Sequence, residues 1–488
     1  MVLDSCQPRE VFRFFEEISR IPRGSGNEGE IAQYLEDFAL GRGLWVLRDG
    51  FNNVVIKKPG TPGFEAAPPV ILQGHTDMVC EKNKDTVHDF EKDPIRLIAE
   101  GDFIRADGTT LGADNGIAVA ISLALLDSKA IPHPPLEVVL TSGEEVGLTG
   151  AQGLDCSVLA GKTFFNLDSD TEGIFTVSCA GGLRADMLIP AERVPAKAGA
   201  KAFALRVKGL KGGHSGIEID KHRANANVLL ARALNMLAKE FDADVASVSG
   251  GLKINAIPRE AEALVYAATE YQDDVFAAVD KLERAVKAEF ATADPDVSIS
   301  VAEIYTETGA EEKSRPALSK AARDRLISAI ILTPNGVQSM SAEIAGLVKT
   351  SNNIGILEQR GDYIAVCNEV RSSSASEKNF VREKLTALAG LTGGTLEIHG
   401  DYPGWEYNPN SPMRVKLVRL YEEMYGGEPV VHAVHAGLEC GFFAERIPGL
   451  DVISIGPDMH DIHTPDERLG IASTARVWEF LKKALTVV

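Results

Sequence analysis

Acidic and imidazole side chains recur in this sequence at what read as the ends of hydrophobic strands or the starts of helices. His75 and Asp77 lie in GHTDM, Asp114 in GADNG, Glu144 and Glu145 in SGEEVG, Asp168 in NLDSD, and His463 in PDMHDIHTPDE. Each group alone has an ordinary explanation. Asp114 precedes an Ala/Ile-rich helix, where a carboxylate commonly caps the first turn. Adjacent glutamates are usually solvated surface, and a histidine near Asp466 and Glu467 suits a turn. Together, at five separate strand or helix ends, they suit a carboxylate-rich centre for two divalent ions. In the extended segment after 70–73, Gly74 lets the chain turn and alternation sends His75 and Asp77 the same way. A carboxylate beside a metal-binding imidazole sets its orientation. Glu144 and Glu145 diverge, so one can bind an ion while the other faces water. His75, Asp114 and Asp168 form one candidate ligand set, and Asp114, Glu145 and His463 the other, with Asp114 shared. Nitrogen and oxygen donors without thiolate admit zinc first, with cobalt or manganese also compatible. Magnesium suits imidazole poorly.

These groups need strands to bring them together. Strands are expected at 53–57, 70–73, 136–141 and 163–167, with a long helix at 115–128 and an amphipathic helix at 8–21. That alternation predicts an α/β domain with a mixed, mainly parallel sheet covered by helices. Sites in such sheets gather outside the carboxyl ends of the strands. After residue 183 the texture changes to strands at 202–208 and 261–267 flanking helices at 225–240 and 273–290, an inserted α+β lid. The stretches starting at Gly250 and Lys349 both pass through Asn-x-Ile-like turns into an alternating strand, placing Asn255 opposite Asn353. This likeness suggests a lid of two similar halves in tandem. From about 401 the first texture returns, so the expected organisation is a catalytic domain of 1–183 plus 400–488 with a lid at 184–399.

A chain of 488 residues exceeds one typical core, so at least two domains are expected. A net charge of -20 argues against nucleic acid and anionic membrane surfaces as partners. No run approaches the ~20 apolar residues of a membrane span, and the N-terminus lacks a basic start with an apolar core. Six scattered cysteines without a CxxC pair suit thiols in a reducing compartment, so a cytoplasmic location is expected.

The ordered motifs GHTDMVCEKN, DGTTLGADNGIAVA, LTSGEEVGLTGA, FFNLDSD, KGGHSG, INAIPRE, HAGLECG and IHTPDERL span essentially the whole chain. They resemble the M20 metallopeptidase family, most closely its Xaa-His (aminoacyl-histidine) dipeptidase group. The resemblance implies two metal ions held by His75, Asp114, Glu145, Asp168 and His463, with Asp114 bridging. Glu144 is implied as the general base toward a metal-bridging water, Asp77 as the group orienting His75, and His214 of KGGHSG as a donor to the tetrahedral oxyanion. His463 is preferred to His460 because TPDE follows it. Asn255, Arg371 and Gly437 are candidates for substrate binding, with Arg371 suited to a carboxylate. HAGLECG lacks the arginine-bearing Gly-Gly-Thr-Asp stretch of many relatives, which shifts carboxylate recognition toward the lid. The implied activity is hydrolysis of unblocked dipeptides, preferring C-terminal histidine. An amidase or deacylase of N-acyl amino acids on the same centre, and a non-catalytic binding protein on the same fold, are the alternatives. Pairing with a second copy as a homodimer is left open.

Overall fold

A computed structural model describes residues 2–304 and 316–488. The chain divides into two compact units: Met1–Cys179 with Trp405–Ala433 and Leu438–Val488, and Ala180–Gly404 with Val434–Gly437. The short 434–437 segment of the second unit lies within the stretch expected to belong wholly to the catalytic domain.

The first unit is built on an eight-stranded sheet. Its centre is parallel: Leu136–Thr141, Val70–His75, Thr163–Asn166 and Asp451–Ser454 lie side by side in that order. All six residues of both Val70–His75 and Leu136–Thr141 are buried, as strands covered on both faces must be. Outside the centre, Trp45–Arg48 pairs antiparallel with Val54–Lys58, and that strand with Leu136–Thr141. The Ala113–Asp127 helix is buried at every position except Asp114 and Asp127, because it packs directly on the sheet. Gly74 allows that approach. A Cβ there would lie 2.4 Å from both Ala118 Cβ and Asn115 Oδ1. The strand therefore runs on through His75, and Gly74 serves close packing rather than the turn expected of it. The first helix is shorter than expected, Arg9–Ile18. Pro22 disfavours helical Ile21, and the chain closes with single turns such as Ile21 N–H to Ile18 O.

The second unit carries a nine-stranded sheet made of two four-stranded halves and one added strand, Gly336–Met340. One half runs Ala200–Lys208, helix Ala226–Phe241, Asp244–Gly250, Ala261–Ala268, helix Gln272–Glu289, Ser298–Ile304. The other runs Gly181–Pro190, helix Lys320–Leu332, Val348–Arg360, Tyr363–Ser372, helix Ala375–Leu391, Thr395–Tyr402. In both, the first strand lies between the fourth and the third, and every pairing is antiparallel. The halves meet where Gly250 pairs with Leu357. They are similar but not in tandem. The first half is inserted after the opening strand of the second, a long-range pairing that no local pattern announces. The Asn-x-Ile likeness also joined unlike positions, because Asn353 lies inside a strand and Asn255 in a turn. Asn353 Nδ2 donates to Ile254 O and Ala256 O, so the two segments are partners, not equivalents. Among the described residues, no helix is long and apolar enough to cross a membrane.

Candidate metal centre

Three of the parallel strands lead directly into candidate groups at their carboxyl ends: His75 and Asp77, Glu144 and Glu145, and Asp168. His75 is the last residue of its strand and is 1% exposed. Its Nδ1 lies 3.1 Å from Asp77 O and 3.3 Å from Asp77 Oδ1, which turns Nε2 toward Asp114 Oδ1 at 3.1 Å and Asp168 Oδ1 at 3.6 Å. Asp114 does not cap its helix. It and Asn115 have non-helical backbone angles, and the cap position is Gly112. The freed carboxylate faces two imidazoles, with its second oxygen 3.1 Å from His463 Nε2. Glu145 Oε1 lies 2.9 Å from the same nitrogen. His463 adopts a left-handed backbone, φ 63°, in the loop that carries it to the cluster.

Among the described residues, three sets of donor atoms lie within 4.8 Å of one another: His75, Asp114 and Asp168; His75, Glu144 and Glu145; and Asp114, Glu145 and His463. Asp77 fixes the turn that bears the paired glutamates. Its two oxygens accept separately from the N–H groups of Glu144 at 3.0 Å and Glu145 at 3.2 Å, and Ser25 Oγ donates to the second. His460 lies elsewhere, edge-on to Phe103.

The electrostatics match a cation site. Burial pushes Glu144 up to about 8, with His75 opposing and Glu439, Glu145 and Asp114 adding to the rise. Burial also raises Asp168 well above the usual carboxylate range. Burial would raise Asp114 too, but His463 and His75 hold it well below that range. Hydrogen bonds to Asp114 and then Glu145 lift His463 to about 10. After burial, neighbouring acids are what raise Glu144 and Asp168, a crowding of carboxyl groups that divalent ions would relieve. Nitrogen and oxygen donors, with no cysteine in any of the three sets, suit zinc, cobalt or manganese.

One buried participant escaped the sequence. Glu439, fully buried, accepts from Gln73 Nε2 and Thr141 Oγ1, and Gln73 Oε1 accepts from Asn166 Nδ2. Gln73 and Asn166 sit two residues before His75 and Asp168, so this polar layer underlies two candidate ligands. Burial pushes Glu439 up to about 7. Its only signal was a carboxylate in HAGLECG two residues past Gly437.

His214, Asn255, Arg371 and Gly437 all belong to the second unit. His214 lies in a two-residue strand paired with Ala256–Ile257. Its Nδ1 accepts from the N–H groups of Gly216 and Ile217, so the neutral ring carries its proton on Nε2. Burial, then Arg371, keeps the ring neutral by lowering its pKa. Arg371 is 6% exposed, donates to Tyr402 Oη at 3.3 Å and pairs with Glu369. A Cβ on Gly437 would lie 2.9 Å from the Tyr402 ring, so its backbone shares that neighbourhood. Asn255 is exposed, and its carbonyl accepts from Ser215 N–H. His435 lies two residues before Gly437. It is buried, its Nε2 lies 2.7 Å from Ser351 Oγ, and burial with Arg371 and His214 pushes it down to about 3.

The chain is similar to known proteins along its whole length. Residues 71–486 match the model of peptidase family M20/M25/M40. The chain is 38% identical over 483 residues to the cytosol non-specific dipeptidase of Escherichia coli (strain K12), covering 99% of this chain and 98% of that protein. The crystal structure of aminoacylhistidine dipeptidase from Vibrio alginolyticus superposes with a TM-score of 0.93 at 39% identity, covering 100% of this chain and 98% of that one. Aminopeptidase PepT from Bacillus cereus shares the fold at a TM-score of 0.55 and 16% identity over 98% of each chain. The chain belongs to peptidase family M20/M25/M40 and is a hydrolase of its dipeptidase branch.

Proposed function

We propose that this enzyme cleaves the peptide bond of unblocked dipeptides at a two-ion centre held by His75, Asp114, Glu145, Asp168 and His463. The observation that carries the reading is Asp114, whose two oxygens each lie 3.1 Å from a different imidazole nitrogen, as a carboxylate shared by two ions requires. Bound divalent ions, zinc by preference, would polarise the scissile carbonyl and ease ionisation of water.

The chain's own groups do the rest. Glu144 has the burial and raised proton affinity of a general base that takes the attacking water's proton and passes it to the leaving amine. Asp77 positions Glu144 through its backbone N–H and His75 through the ring. The Nε2–H of neutral His214 fits a donor to the tetrahedral oxyanion. Arg371, with Asn255 and the backbone at Gly437, suits the substrate's carboxylate end. On this reading the first unit is the catalytic domain and the second the lid that recognises substrate. The names of two relatives reported above support dipeptides as the substrate class, and that of the Escherichia coli protein supports the cytosol as the location. They differ on breadth, one non-specific and one aminoacylhistidine, and we assign a preference for C-terminal histidine.

The test combines elemental analysis with a panel of Xaa-His dipeptides, other dipeptides and N-acetyl amino acids. Two ions per chain and turnover of unblocked dipeptides, fastest for Xaa-His, are expected. Turnover confined to N-acetyl amino acids would overturn the substrate assignment, and full activity after complete metal removal would overturn the mechanism.

A further inference from the structure

Two buried charged residues, Glu467 and Arg23, meet at the loop that bears Asp114. Glu467, 2% exposed, lies four residues past His463 and is spent entirely on one backbone loop. Its Oε2 accepts from the N–H groups of Leu111 at 2.8 Å and Gly112 at 3.0 Å. Its Oε1 accepts from those of Ala113 at 2.8 Å and Asp114 at 3.3 Å. Four successive N–H groups converging on one carboxylate form an anion-binding nest filled by the protein's own side chain. Arg23, also 2% exposed, faces the same loop. Its Nη1 donates to Thr76 O at 3.0 Å and Asp77 O at 3.3 Å, and its Nη2 donates to Gly112 O. Only glycine fits at 112, where φ is +68° and a Cβ would lie 2.6 Å from Arg23 Nη2 and 2.7 Å from Met78 Sδ.

We propose that Glu467 and Arg23 are positioning residues that assemble the ion-binding segments before any ion arrives. The 111–114 loop is the common piece. Arg23 ties it to the turn that follows His75, and Glu467 ties it to the segment that bears His463. With its backbone N–H groups already engaged, the loop presents Asp114 with both oxygens free to face the two imidazoles. Three ligand segments distant in sequence are thereby strapped through one loop by two charges that touch no ligand atom themselves. A carboxylate set beside an already acidic cluster is costly. Four charge-assisted hydrogen bonds offset that cost locally, and the return is a fixed bridging aspartate.

This inference rests on the two-ion reading of the centre, and the experiment separates their failures. Glu467→Gln preserves shape but leaves one acceptor oxygen, so two of the four N–H groups lose their partner. Cobalt(II) is titrated into metal-free protein against a competing chelator and followed by visible absorption. Affinity is expected to weaken about 10–100-fold, as for other groups that support a ligand from behind. Both binding steps should weaken, because Asp114 faces both histidines. Hydrogen exchange supplies a readout that a general loss of stability would not give. In unmodified metal-free protein the amides of 111–114 should already be protected, and in Glu467→Gln they alone should exchange faster while the following helix keeps its protection. Affinity within twofold of the parent overturns the proposal. So do amides of 111–114 that exchange freely in the metal-free parent and slow only when ions are added, a result that stands even if the variant fails to fold. If the unmodified protein takes up no ions at all, the two-ion reading itself falls.

Discussion

Replacing Asp77 by asparagine isolates what a carboxylate that binds no ion contributes. Asp77 is fully buried, and its two oxygens hold the N–H groups of Glu144 and Glu145 separately. An amide of the same shape offers one acceptor oxygen and one NH2, so one of those N–H groups meets a donor instead of an acceptor. A buried donor left unsatisfied costs about 1–3 kcal/mol. The turn can relieve that cost only by moving, and the side chains it carries are the proposed base and a proposed ligand. A misplacement of about 1 Å at a reacting group costs on the order of 100-fold in rate, equivalent to about 2.7 kcal/mol at 1.36 kcal/mol per decade. The expectation for Asp77→Asn is therefore kcat about 100-fold down at saturating metal and substrate. Metal content should stay near that of the parent, because His75 keeps its hydrogen bond to the Asp77 carbonyl. Amide exchange at Glu144 and Glu145 should accelerate. Steady-state kinetics, elemental analysis and hydrogen exchange on one preparation decide the matter. A kcat within threefold of the parent, with unchanged exchange at those two amides, would refute the argument that this carboxylate positions the turn.

Glu144→Gln keeps the backbone bond to Asp77 and should retain metal and fold while kcat falls about 10²–10⁴-fold; activity within tenfold of the parent removes Glu144 from the role of base. His214→Asn places an oxygen where Nδ1 accepts from Gly216 and Ile217 but abolishes the Nε2 donor. Its kcat should drop about 10²–10³-fold with little change in metal content, and a variant that loses metal in step with activity would contradict the oxyanion assignment.

The strands and helices around the centre were legible because buried parallel strands read as short apolar runs, and Val70–His75 and Leu136–Thr141 stand out as such. The proposed ligands His75, Glu145 and Asp168 stood out because they end or closely follow such runs. Asp114 opens a helix and His463 sits in a loop, so motif order rather than a strand end drew attention to them. Glu439, Glu467 and Arg23 were not, because what matters in them is which buried backbone or side-chain group they meet far along the chain. Glu467 reaches residues 111–114 and Glu439 reaches Gln73 and Thr141, pairings that no local periodicity encodes. The ordinary explanation of Asp114 as a helix cap fails in the structure, because the backbone departs from helix there and turns the carboxylate away from that task. The lid's similar halves were sensed from a likeness of turns, but their nesting depends on the distant pairing of Gly181–Pro190 with Tyr363–Ser372.

The same threading has a bearing on how the polypeptide is made. Thr163–Asn166 waits for Asp451–Ser454 as its parallel neighbour, and roughly 300 residues must be synthesised in between. At about 5–20 residues per second, that delay lasts on the order of 15–60 s. Throughout it, the edge bearing Phe164 and Phe165 lacks the partner that covers it in the finished sheet. The inserted unit, with its own strands and helices, can complete its inner half first, while the eight-stranded sheet still waits for Asp451–Ser454.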